Sequence, residues 1–268
     1  MQTALLLKLP YEVLTNSTLN EKFGIQNGVM PAIENYPAMR YFAVGNGGHR
    51  MSVGAGGIAK PEPVQHRGTD AALYNHLPFI LRDVTNDLQI VDRAKYGLRR
   101  IETHNGNQYV AYYLKRIDMT DVLVATEFVT VADGVSTITD FVPDSSNLNP
   151  TPPVLNGAGV NIVTGDYVAA TAKATLTLDT FDITELLNVA NIIYNDESYA
   201  IVSEIALCAG VDKSISAPSV GNTTITFNEV IGTQVMSHVN TFFPLKFANA
   251  SVSVELDIGV SEPNLSIE

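Results

Sequence analysis

Four of the five histidines, His49, His66, His76 and His104, fall in the first half of the chain, together with Asp70, Asp83 and Asp87. Imidazoles and carboxylates build metal sites and acid–base pairs. No two of these histidines, however, have the i, i+4 spacing that puts both on one helix face toward a zinc ion. The spacing predicts loop histidines that satisfy backbone groups, and no metal site. Within His66-Arg-Gly-Thr-Asp70, Asp70 can pair with Arg67 or accept backbone amides, which predicts a turn ordered by charge-assisted bonds. Gly54-Ala-Gly-Gly-Ile-Ala59 matches a relaxed dinucleotide fingerprint, but Lys60-Pro-Glu-Pro follows where the helix should run. Gly45-Asn-Gly-Gly-His-Arg lacks the lysine and hydroxyl residue that close a phosphate loop. No cofactor is expected. No Gly-x-Ser-x-Gly elbow occurs, and the single cysteine, Cys208, lies in the mostly apolar run Ala200–Ala209 as a small buried thiol. These features weigh against an enzyme.

The second group with chemical potential is basic. Arg93, Lys95, Arg99, Arg100, Lys115 and Arg116 are interleaved with Tyr96, Tyr109, Tyr112 and Tyr113, a mixture that nucleic-acid platforms also use. The chain as a whole carries −12, which opposes phosphate binding. Its charge is divided: residues 1–118 have 13 cations and 10 carboxylates, and residues 119–268 have 3 and 18. Complementary fields of this kind orient subunits. The sequence therefore predicts subunit docking through Arg99, Arg100, Lys115, Arg116 and Tyr112. Gly45, Gly47, Gly48, Gly54, Gly56 and Gly57 are expected to form an adaptable contact loop, outside the core. Charged residues make up only 16% of the chain, as suits subunits that cover one another.

The elements that must carry these residues read as mainly β, a β-rich α+β chain of antiparallel sheets or a sandwich with a few short helices. A hairpin is expected across Arg93–Asp118, turning at Asn105-Gly106, whose residue types favour positive φ. Strands Val122–Val131 and Val135–Val142, separated by Asp133-Gly134, are expected to join it in one small sheet. Pro143 to Pro153 reads as a linker, with three prolines in its last four residues, which gives domains 1–150 and 151–268. On this reading the charge transition near 118 is not a domain boundary. Further on, Ala172, Ala174, Leu176 and Leu178 alternate as a half-buried strand, and a short helix is expected at Thr184–Ile193, capped by Thr184. Strands follow at Tyr199–Cys208, Thr223–Glu229 and Ser251–Ile258. A short helix is also expected within Tyr11–Phe23. The first residues lack the pattern of a signal peptide, no run approaches the ~20 apolar residues of a membrane span, and the sequons at Asn16, Asn222, Asn249 and Asn264 read as chance.

Three segments carry a resemblance: Tyr41-Phe-Ala-Val-Gly-Asn-Gly-Gly-His49, His66 to Arg82, and Tyr109-Val-Ala-Tyr-Tyr-Leu-Lys-Arg116. They resemble virion structural proteins of tailed bacteriophages. Ile193 to Lys213 is similar to segments of tail-associated proteins of contractile phages. The resemblance covers about half the chain. It implies a subunit of the neck, collar or baseplate, in a symmetric ring of copies and in contact with other virion proteins, assembled in the host cytoplasm, with no catalytic residues. Two other readings stand beside it: a capsid decoration or fibre-attachment protein, and a glycan-binding module or enzyme. The lack of tryptophan weakens the last, because sugar faces stack on aromatic rings.

Overall fold

The computed structural model describes residues 37–54, 56–120, 122–141, 154–155, 162–218, 224–248 and 251–263. The chain is mainly β, with antiparallel sheets and, among the described residues, two α-helices. It divides into two compact units, one formed mainly by residues 118–175 and 255–268, the other by residues 3–117 and 176–254. The division thus falls at the charge transition near 118. The linker at 143–153, the helix at Tyr11–Phe23 and all four sequons lie outside the described residues.

The larger unit is organised by a seven-stranded sheet. Its strands are β1 (Ala38–Gly45), β4 (His76–Leu77), β5 (Ile80–Asp83), β6 (Tyr96–His104), β7 (Asn107–Arg116), β12 (Ile201–Pro218) and β13 (Thr224–Pro244). The order is β13-β12-β1-β7-β5, with β4 on β1 and β6 on β7. The glycine-rich segment was expected outside the core, yet its first glycine, Gly45, ends the central strand. Tyr41, Phe42, Ala43 and Val44 are consecutive and buried, so both faces of β1 are covered. Each large apolar side chain buried this way contributes about 1.5–3 kcal/mol. Tyr41 fits because two neighbours lack a side chain: a Cβ at Gly97 would lie 2.6 Å from its ring, and one at Gly210 2.7 Å.

The β6–β7 hairpin turns where expected, with His104 opposite Asn107 and positive φ at Asn105 (51°) and Gly106 (81°). Helix α1 (Ile90–Arg93) precedes it. Helix α2 spans Thr180–Tyr194, one turn earlier than expected. Its cap is Asp179, not Thr184: the Asp179 carboxylate accepts the Asp182 amide, and Asp182 reaches back to the Asp179 amide. Thr184 lies inside the helix and donates to the Thr180 carbonyl. Ile183, Leu186, Val189 and Ala190 form the buried stripe, and Asn195 closes the helix at φ 58°. A separate two-stranded hairpin, β2 (His49–Val53) and β3 (Ala59–Pro63), leaves the main sheet after β1.

The smaller unit holds the second sheet: β8 (Val124–Ala132), β9 (Val135–Asp140), β10 (Val154–Leu155), β11 (Ile162–Leu178) and β14 (Val252–Pro263). Its order is β10-β11-β8-β9, with β14 on β11. The β8–β9 pair therefore does not extend the β6–β7 sheet, contrary to expectation. Its Asp133-Gly134 turn has positive φ at both residues (52° and 77°), as expected. Val129, Val131 and Ala169 form a small buried cluster with Tyr167, and every residue of β9 is exposed. Along β11 and β14 the expected alternation holds, with Ala172, Ala174, Leu176, Leu178 and Ile258 buried.

Candidate functional site

Strand β12 is buried from Val202 to Val211, and one carboxylate, Glu204, lies within that run with no exposed surface. An unpaired carboxylate there would cost several kcal/mol. Four bonds compensate. Glu204 Oε1 accepts the amides of Gly47 (3.0 Å) and Asn75 (2.8 Å), while Oε2 accepts the Tyr74 amide (3.0 Å) and meets His66 Nε2 (2.9 Å). The Gly48 amide donates to the neighbouring Ser203 hydroxyl at 3.0 Å. Backbone can come this close only without side chains. A Cβ at Gly45 would sit 2.4 Å from the Asn75 carbonyl oxygen, and one at Gly48 2.4 Å from that of Ser203.

Rings on both faces hold His66 in place: Tyr74 stacks at 4.3 Å and His238 at 4.0 Å, with interplanar angles of 11° and 14°. His66 Nδ1 stands 3.6 Å from Asp70, beyond hydrogen-bond reach. Asp70 itself orders the expected turn, accepting the Arg67 amide at 2.9 Å and the Tyr74 hydroxyl at 3.0 Å, and these bonds hold its carboxyl below the usual range. Burial, reinforced by the charge of His66, lowers the pKa of His238. Burial also lowers that of His49, against the pull of Glu204. His76 satisfies backbone as expected, accepting the Leu73 amide at 3.0 Å. An open groove of about 640 Å³ runs between the 63–70 segment and β13 from Val235 to Asn240, with His66 and His238 on its walls.

Both Glu204 oxygens are occupied by donors, so the carboxylate binds two backbone segments, at Gly47 and at Tyr74–Asn75, and the His66 imidazole to β12, and is not placed to exchange protons with a ligand. Among the described residues no group of three His, Cys, Asp or Glu side chains is arranged to hold a metal ion. Cys208 is fully buried, which pushes its thiol up to about 12.

The glycine-rich segment, expected to be one adaptable loop, has two characters. Gly45, Gly47 and Gly48 are packed against the Glu204 clamp, whereas Gly54, Gly56 and Gly57 form the tip of the β2–β3 hairpin, with Gly56 and Gly57 at φ 96° and 75°.

Four of the five residues expected to dock a neighbour, Arg99, Tyr112, Lys115 and Arg116, bond carboxylates of their own chain. Arg99 donates twice to Asp87 (3.0 and 2.7 Å), and the buried Tyr112 donates to the same carboxylate at 2.6 Å. Lys115 is buried, bonded to Asp182 and, at 2.9 Å, to the Thr177 carbonyl. Arg116 binds Asp212 (2.7 Å) and the Asn228 carbonyl (2.8 Å). Arg100 is half-buried on β6, opposite Ala111. Tyr112 and Lys115 thus present no docking surface, a correction that follows from their burial. Arg82–Glu185 and Arg93–Glu229 repeat the pattern of first-half cation and second-half carboxylate.

The residues missed in sequence are Glu204, Tyr74 and Asn75. Glu204 had one visible signal: it is the single charge in the apolar run Ala200–Ala209.

The sequence profile of a family of unknown function (DUF7208) matches residues 1–268. No curated protein and no solved structure matches the chain.

Proposed function

Since the chain belongs to that family over its whole length, and the family's description assigns it no activity, we propose from sequence and geometry that it is a structural subunit of a tailed-phage virion. It works by subunit contact, without turnover, in the neck, collar or baseplate. Its partners on this reading are copies of itself and other virion proteins, and it is assembled in the host cytoplasm. The resemblance of residues 41–49, 66–82, 109–116 and 193–213 supplies the context.

The observation that carries the reading is the β2–β3 hairpin. Its distal half exposes Met51, Val53 and Ile58 (58%, 72% and 73%), a cluster of apolar side chains on a projecting pair of strands. Apolar groups gathered in this way are characteristic of contact surfaces. Size-exclusion chromatography with light scattering, followed by negative-stain imaging, tests the proposal. A discrete multimer with rotational symmetry is the expected outcome, whereas a monomer at every concentration up to the millimolar range would overturn it.

A further inference from the structure

The exposed ends of the two units are complementary. On the larger unit, Arg50 and Lys60 of the β2–β3 hairpin have side chains 73% and 61% exposed. Both approach one carboxylate, Glu62, at 3.4 and 3.6 Å, so the hairpin is left one charge positive beside its apolar tip. Its two edges differ. The Gly54 amide donates to the Ile58 carbonyl, so by antiparallel alternation Lys60 and Glu62 turn their amides toward β2. Pro61 and Pro63 then lie with their nitrogens on the outer edge of β3 and remove two donors from it. The distal edge of β2, at Met51 and Val53, keeps its donors.

On the smaller unit, β9 ends the path of its sheet, and its outer edge is unpaired among the described residues. It exposes Val135 (68%) and Ile138 (59%). At its far end Asp140 stands directly opposite Glu127 of β8. Like charges in this cross-strand position repel, and among the described residues no ion pair joins either one. Segments 118–175 and 255–268 together hold one lysine against eleven carboxylates, a net −10, while the rest of the chain holds fifteen cations against seventeen, a net −2. Cations for Glu127 and Asp140 must come mainly from elsewhere. Strands β2 and β9 are also close in length, five and six residues.

We propose that the β2–β3 hairpin of one copy docks along the free edge of β9 in a second copy. Met51 and Val53, on one face of the hairpin, pack against Val135, while Arg50 and Lys60, on its other face, lie on the side of the sheet that carries Glu127 and Asp140. The contact deepens the assembly reading and rests on it. It is heterologous: each copy offers one hairpin and one edge, so repetition closes a ring or extends a filament.

A charge exchange tests it. The first variant, R50E/K60E, carries a negative hairpin and the native acidic edge; the second, E127K/D140K, carries the native hairpin and a basic edge. Each alone meets like charge at every junction, and its self-association should weaken by about tenfold or more, read by light scattering and sedimentation. Mixed one to one, every junction becomes complementary, and assembly should return to near the wild-type level. Arg50, Lys60 and Asp140 are exposed and Glu127 is half-buried on β8, so urea midpoints should stay close to the wild-type value, which separates lost docking from lost folding. Val53→Asp should weaken assembly in both backgrounds. If wild-type protein assembles but neither charge variant weakens it, or the mixture fails to recover, this contact is wrong and the assembly reading stands. Wild-type protein that stays monomeric removes both.

Discussion

At Glu204 one side chain bonds Gly47, Tyr74, Asn75 and His66. Glu204→Ala should therefore leave three amides and an imidazole without their acceptor, and should destabilise the fold by about 3–5 kcal/mol in urea unfolding. The histidine stack predicts a pH dependence. In the folded chain His238 has a pKa below its ordinary 6.5, through burial and the nearby His66. The unfolded chain therefore takes up this proton first, and stability falls as pH drops from about 6.5 toward the folded pKa. His238→Gln should flatten that fall, so that its urea midpoint changes less than the wild-type midpoint between pH 7.5 and 5.5. A wild-type-like slope in the variant would assign the dependence to other groups. Beyond the isolated charge of Glu204 this was not legible beforehand, because a carboxylate in an apolar run does not reveal which distant amides it meets.

Among the elements, α2 is anchored at its start by a buried ion pair. Asp182 caps the helix through Asp179, accepts the Tyr96 hydroxyl at 2.9 Å and is bonded by Lys115. Lys115→Met keeps the apolar stem but leaves a buried carboxylate without its cation. It should cost about 3 kcal/mol, whereas Asp179→Ala, which removes a cap, should cost about 1 kcal/mol; equal losses in urea unfolding would show that the helix end alone sets the stability. Elements with local signals were readable in advance. Asn105-Gly106 and Asp133-Gly134 are turns because both residues of each pair accept positive φ, and Ala172 to Leu178 alternate because one face is buried. What was not readable has non-local causes. Strand β1 was obscured by the glycines that follow it, and its place between β12 and β7 depends on partners some 70 to 170 residues away. Helix α2 begins one turn before Thr184 because Asp179 and Asp182 form a reciprocal capping box.

For the whole molecule, the charge division was correctly visible, but its meaning changed. Lys115, Arg116, Arg82 and Arg93 pair with Asp182, Asp212, Glu185 and Glu229, so much of the basic half is neutralised by residues 176–254 of the same chain. The excess negative charge falls instead on segments 118–175 and 255–268. The Glu204 clamp carries one more implication, which concerns synthesis. Its bonds join residues 47, 66, 74 and 75 to a strand 129 to 157 positions later, and β1 pairs with that same strand. At about 5–20 residues per second, a ribosome needs roughly 6 to 30 seconds to cover that interval. Throughout it the glycine-rich segment and the central strand have emerged while the strand that orders them has not. The nascent chain thus exposes an apolar β1 whose β12-facing edge has no partner until residue 210 leaves the tunnel, since pairing with β7 covers only the opposite edge.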